Sequence, residues 1–67
     1  MTLGQRISQY RKQLGISQEM LGERLGVSRQ AVSKWENGTS DPSTSNLLAL
    51  ARLYGISAEE LLKEVQS

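Results

Sequence analysis

The sequence contains no cysteine and no histidine. Disulfides are excluded, and so is a zinc site built from Cys and His ligands. The commonest general base and the thiol nucleophile are missing with them, and there is no Gly-rich phosphate loop. Glu59, Glu60 and Glu64 do not converge as a catalytic cluster or show metal-ligand spacing; they sit at the start and on an exposed face of a short helix, where acids suit the N-terminus. Enzyme chemistry is therefore not expected, nor is a metal, a cofactor or a small-molecule ligand. No apolar run approaches the roughly 18 residues that cross a membrane. The opening Met1-Thr2-Leu3-Gly4-Gln5-Arg6 lacks the apolar core of a signal peptide. These absences fit a cytoplasmic location. Period-two alternation, the mark of a half-buried strand, is also missing.

What remains is helical. Sixty-seven residues make one domain, near the lower limit for folding without staples. Hydrophobic residues are 37% and charged residues 22%, ordinary for a globular chain. Stability must come from packed helices and good caps. A first helix is predicted from about Leu3 to Leu14, with Thr2 as N-cap and Gln5 as its capping-box partner. Leu3, Ile7, Tyr10 and Leu14 form its apolar stripe. Gly15 ends it, and Ile16 continues into the core. A second helix opens at Ser17 and closes at Gly26, and a third runs from Ser28 to Asn37-Gly38. After the loop Thr39-Ser40-Asp41-Pro42-Ser43, a fourth helix begins near Ser43 and stops at Gly55. Its buried face is Leu47, Leu50, Ala51 and Tyr54. A fifth opens at Ser57, with Glu60 completing a second capping box and Leu61, Leu62 and Val65 as anchors. The expectation is an all-α, compact five-helix bundle with short connections.

Residues 17 to 36 are the most informative stretch. Leu21, Leu25, Val27, Val32 and Trp35 supply the apolar positions. Gly22 falls where the helices would pass closest, and Gly26 falls where the chain must turn. Arg29, Gln30, Ser33 and Lys34 are left on one outward face of the third helix. Such a face is a solvated surface on many helices. After a tight Gly turn it suits the major groove of DNA, where base edges present donors and acceptors. Arg and Lys pair with guanine, and Gln pairs bidentately with adenine. Asn37-Gly38 is first a helix stop, and the amide groups of such a turn can also grip an anion. Charge distribution leans the same way. Residues 1–40 carry net +3 and residues 41–67 net −2, so a polarised domain would present its basic end to phosphates.

Several runs together resemble the xenobiotic-response-element family of helix-turn-helix regulators, the group of lambda-type phage repressors and their bacterial relatives. They are Leu3-Gly4-Gln5-Arg6-Ile7, Tyr10 to Glu19, Leu25 to Gly38, the single Pro42, and Leu53 to Leu62. The resemblance spans about residues 3–65. It implies a lambda-repressor-like bundle and assigns roles to matching positions. Arg29, Gln30 and Lys34 would reach base edges, with Ala31 against a thymine methyl. Gln18, Ser28, Ser33, Asn37 and Thr39 would contact the DNA backbone, and Gln18 would also buttress the third helix. Arg11 and Glu36 would form a partly buried ion pair between the first helix and the end of the third. Two departures stand out. Gly22 replaces the family's usual Ala and should loosen the second helix. Thr39-Ser40-Asp41 carries no cation, and Asp41 would repel phosphate.

The expected function is a sequence-specific, double-stranded-DNA-binding transcriptional regulator, a repressor in a bacterium or phage. It would bind a near-palindromic operator as a homodimer. Leu48, Leu53 and Met20 fall off the main stripes, and a dimer interface around the fourth and fifth helices would use such residues. A protein-interaction module is the rival reading, although it would not need Arg, Gln and Lys on the third helix. The front domain of a longer, ligand-sensing regulator is the second rival.

Overall fold

The computed structural model describes residues 1–63. It is all-α: α1 (Leu3–Leu14), α2 (Gln18–Leu25), α3 (Arg29–Asn37), α4 (Thr44–Tyr54) and α5 (Ala58–Leu62). Each helix begins on a hydroxyl residue in extended conformation, Thr2, Ser17, Ser28, Ser43 and Ser57 in turn. Each hydroxyl accepts from the N–H three residues on, satisfying one of the free donors of the first turn. The capping box at Thr2 is complete, since Gln5 Oε1 accepts from the Thr2 N–H at 2.8 Å. The box expected at Ser57 is half made. Ser57 Oγ accepts from the Glu60 N–H at 3.0 Å, while no bond returns from the Glu60 carboxylate among the described residues.

The core is Ile7, Leu21, Val32, Trp35, Leu50, Ala51 and Leu61. α3 packs against both α1 and α2, α4 covers α5 and α1, and α5 closes against α1. Two expected inward positions are exposed, and one expected to stand off the core packs against it. Leu14 is 49% exposed, because α1 outruns the elements that cover it and Ile16 takes the inward position beyond the turn. Leu62 is 42% exposed; Leu61 already points at the core, and the next residue of a helix is rotated about 100° away. Leu53 packs against the core instead of standing off it. Val65 and Glu64 lie outside the described residues.

Two glycines set how closely α3 is gripped. A Cβ on Gly4 would collide with the carbonyl oxygen of Trp35 and lie 2.6 Å from that of Glu36, so α1 and the end of α3 touch backbone to backbone. At Gly22 a Cβ would lie 2.7 Å from Val27 O. The close approach expected there is thus to the turn before α3, not to a helix. Gly22 lets that turn sit tight against α2.

A further set of contacts ties α4 and α5 to α1. Arg6 Nη2 donates to Glu60 O at 3.1 Å, and its guanidinium lies 5.8 Å from the centre of the Tyr10 ring. Tyr10 stacks on Tyr54 with centroids 5.3 Å apart, and the Tyr54 hydroxyl donates to Ile7 O at 2.9 Å.

Candidate nucleic-acid interface

The turn between α2 and α3 is built by Gly26 in the left-handed region at φ 75°, where residues other than glycine are strained. The Val27 N–H donates back to Gly22 O at 2.9 Å, and Ser28 then starts α3. Val32, fully buried, and Trp35, 5% exposed, fix the rotation of α3 about its axis. With that face inward, Arg29, Gln30 and Lys34 are exposed together on the opposite side. Ser33 and Ala31 are half-buried flanking positions, and Ala31 packs against the core.

Around this face stand the other residues singled out above. Ser28 is exposed, and its Oγ accepts from the Ala31 N–H at 3.1 Å, which leaves the hydroxyl proton available to an acceptor. At the far end, Asn37 Oδ1 accepts from the Thr39 N–H at 3.0 Å and from the Thr39 hydroxyl at 2.5 Å. The Thr39 proton is therefore spent on Asn37, and the free donors of this corner are those of the Asn37 amide nitrogen. The backbone amides of the turn are spoken for as well. Gly38, Thr39 and Ser40 donate to the Lys34 or Trp35 carbonyls at 2.9–3.3 Å. The anion grip expected of free N–H groups here is accordingly unavailable, because the last turn of α3 closes on them.

Behind the face lies a charged hub. Arg11 Nε and Glu36 Oε2 are 2.7 Å apart, and Arg11 Nη2 donates to Glu36 Oε1 at 3.1 Å. The two side chains are only 12% and 8% exposed. Arg11 also donates from Nη1 to Ile16 O at 2.9 Å, stapling the α1–α2 turn. Gln18 Nε2 donates to Glu36 Oε1 at 3.2 Å. One carboxylate thus joins α1, the start of α2 and the end of α3. Hydrogen bonding to Glu36 raises the Arg11 pKa above its ordinary value, against the lowering effect of burial. Burial first, and the nearby Glu36 charge second, push the Tyr54 hydroxyl well above the ordinary tyrosine value, with Arg11 opposing. The Gln18–Glu36 bond is a buttress of α3 of the kind the resemblance implied for Gln18, though not with a named partner, and the Arg6–Glu60 anchor escaped the sequence reading. Neither has a short-range signal, since the partners are 18 and 54 residues apart. Among the described residues no group of three or more carboxylates gathers where a metal could be held. No helix among the described residues is long and apolar enough to cross a membrane.

The helix-turn-helix family profile matches residues 7–61. Among curated proteins, the chain is 44% identical over 61 residues to Repressor protein C2 of Salmonella phage P22, covering 91% of this chain and 28% of that protein. It is 36% identical to the HTH-type transcriptional activator BcrR of Enterococcus faecalis, covering 92% and 30%. The chain thus spans under a third of the length of these two relatives. Among solved structures, the P22 c2 repressor in complex with a synthetic operator superposes with a TM-score of 0.87 at 43% identity, covering 94% of this chain and 96% of that one. This chain belongs to the helix-turn-helix family, in its xenobiotic-response-element, lambda-repressor-like branch.

Proposed function

We propose that this chain is a sequence-specific DNA-binding domain of a transcriptional regulator, acting as a repressor in the cytoplasm of a bacterium or phage host. The observation that carries the reading is the exposed set Arg29, Gln30 and Lys34 on a helix whose opposite side is locked by Val32 and Trp35. An α-helix with its side chains is about 10–12 Å across, which fits a major groove about 12 Å wide. Arg29 and Lys34 would read guanine O6 and N7, Gln30 adenine, and the half-buried Ala31 a thymine methyl. The second amide proton of Gln18, the Ser28 and Ser33 hydroxyls and the Asn37 amide would donate to phosphates, with Thr39 orienting Asn37. The Arg11–Glu36 pair holds these donors in register and leaves the contacts to others.

Repression needs no chemistry: the bound protein covers the DNA that polymerase requires. No catalytic group, cofactor or metal enters the mechanism. One such domain reads few base pairs, so a homodimer on a near-palindromic operator is the expected assembly, with recognition helices about 34 Å apart. Exposed Leu48 on α4 offers apolar surface for that contact. The operator-bound P22 repressor supports the DNA reading, and the BcrR activator marks the sign of regulation as the part most open to test.

The experiment is selection of bound duplexes from a randomised pool, run in parallel with wild type and Arg29→Ala. The expected outcome is a palindrome with half-sites one helical turn apart. The variant should lose about 1–3 kcal/mol and relax preference at one base pair. An equal loss on specific and random DNA would remove the base-reading role of Arg29. No enrichment from folded protein would favour a protein-interaction module.

A further inference from the structure

α1 carries a polar stripe that neither the core nor the recognition face uses. Gln5, Ser8, Gln9 and Lys12 stand at i, i+3, i+4 and i+7, one face of the helix. With Met1 and Glu36 they line an open groove of about 440 Å³ between α1 and the end of α3. α1 contains no acidic residue. Of its three cations, Arg6 is bonded to Glu60 O and Arg11 to Glu36, while Lys12 is exposed and forms no ion pair among the described residues. Glu36 does not make the groove acidic in effect, because both its oxygens already accept from Arg11 and one also from Gln18. That carboxylate also places the groove next to Gln18, whose Nε2 donates to it at 3.2 Å.

We propose that this groove seats a backbone phosphate of the bound duplex, with Lys12 as the charged contact and Gln5, Ser8 and Gln9 as neutral donors around it. The inference rests on the DNA-binding reading and extends its footprint from α2 and α3 onto α1. Charge complementarity selects this occupant: the groove offers hydrogen-bond donors and the Lys12 cation beside Gln18, already assigned to the DNA backbone. It also supplies a cation, which Thr39-Ser40-Asp41 lacks.

A phosphate contact is independent of sequence, so a random-sequence duplex of about 20 base pairs is a sufficient probe, with affinity followed against salt by fluorescence anisotropy. Each neutralised phosphate contributes about 0.9 to the slope of log affinity against log salt. Lys12→Ala should lower the slope by about that amount and weaken binding roughly eightfold near 0.1 M salt, while Lys12→Arg keeps both. Lys63→Ala removes the same charge from the end of α5, which packs on α1 and α4, and should leave the slope unchanged. Thermal melts of the variants exclude loss of fold. The proposal is overturned if Lys12→Ala binds like wild type, if it weakens binding at constant slope, or if Lys63→Ala lowers the slope equally. In those cases the DNA-binding reading survives. A folded wild type that binds no duplex at any salt overturns both.

Discussion

At the scale of single residues, Glu36 is held as tightly as its partner Arg11. It accepts three hydrogen bonds from two residues on two other helices while 8% exposed. Among the described residues its charge is compensated by Arg11 alone, itself nearly covered. A buried pair of this kind contributes little over apolar packing, but breaking it strands a charge. Glu36→Gln keeps the shape and one acceptor, so the cost should fall near the lower end for such breaks, about 3 kcal/mol. Urea unfolding of the variant measures it, and a wild-type midpoint would show the pair to be inconsequential. Arg29 and Lys34 are the opposite case. Their contacts within the fold are few, so substituting them should change DNA binding and leave the melt within about 0.5 kcal/mol of wild type.

Among elements, the decisive relation is that of α3 to the two helices that hold it. α2 approaches through the tight turn permitted by Gly22, and α1 approaches through Gly4. Gly4→Ala tests the second contact. Within an isolated helix the change would gain about 1 kcal/mol of propensity. Here the new methyl meets the backbone of Trp35 and Glu36, which cannot rotate away as a side chain can. The expected net effect is destabilisation by about 1–3 kcal/mol, through overpacking that pushes α1 off α3. Calorimetry decides the sign. A raised melting temperature would mean that the two helices separate at almost no cost.

For the whole molecule, pH and salt act on different parts. With no histidine, no side chain has an ordinary pKa near neutrality, so folding and binding should be flat between about pH 6 and 8. The alkaline limit differs. The folded-state pKa of Tyr54 is raised, so its neutral form is favoured in the native protein. Stability from this source is fully present below the ordinary tyrosine value near 10 and is lost as pH rises from there toward the higher folded value. Unfolding followed from about pH 9 to 12 should show that decline, and Tyr54→Phe should make it shallower while removing the bond to Ile7 O. An unchanged alkaline slope in the variant would put the sensitivity elsewhere.

The sequence by itself determined the elements, and with them the recognition helix. Caps and apolar spacing are interactions between residues at most four apart, so Thr2, Ser17, Ser28, Ser43 and Ser57 mark the helix starts without any tertiary information. The outward grouping of Arg29, Gln30 and Lys34 follows from the same periodicity once Val32 and Trp35 face inward. Tertiary structure alone decided which apolar positions are covered, leaving Leu14 and Leu62 in solvent and drawing Leu53 in. It decided that Gly4 is a contact point, that Gln18 shares a carboxylate with Arg11, that the Thr39 proton is spent on Asn37, and that a groove forms beside Lys12. Most of these depend on partners brought together from 18 to 54 residues apart, and the exact closure of a turn depends on the bonds its neighbours take first. A local pattern carries no record of either.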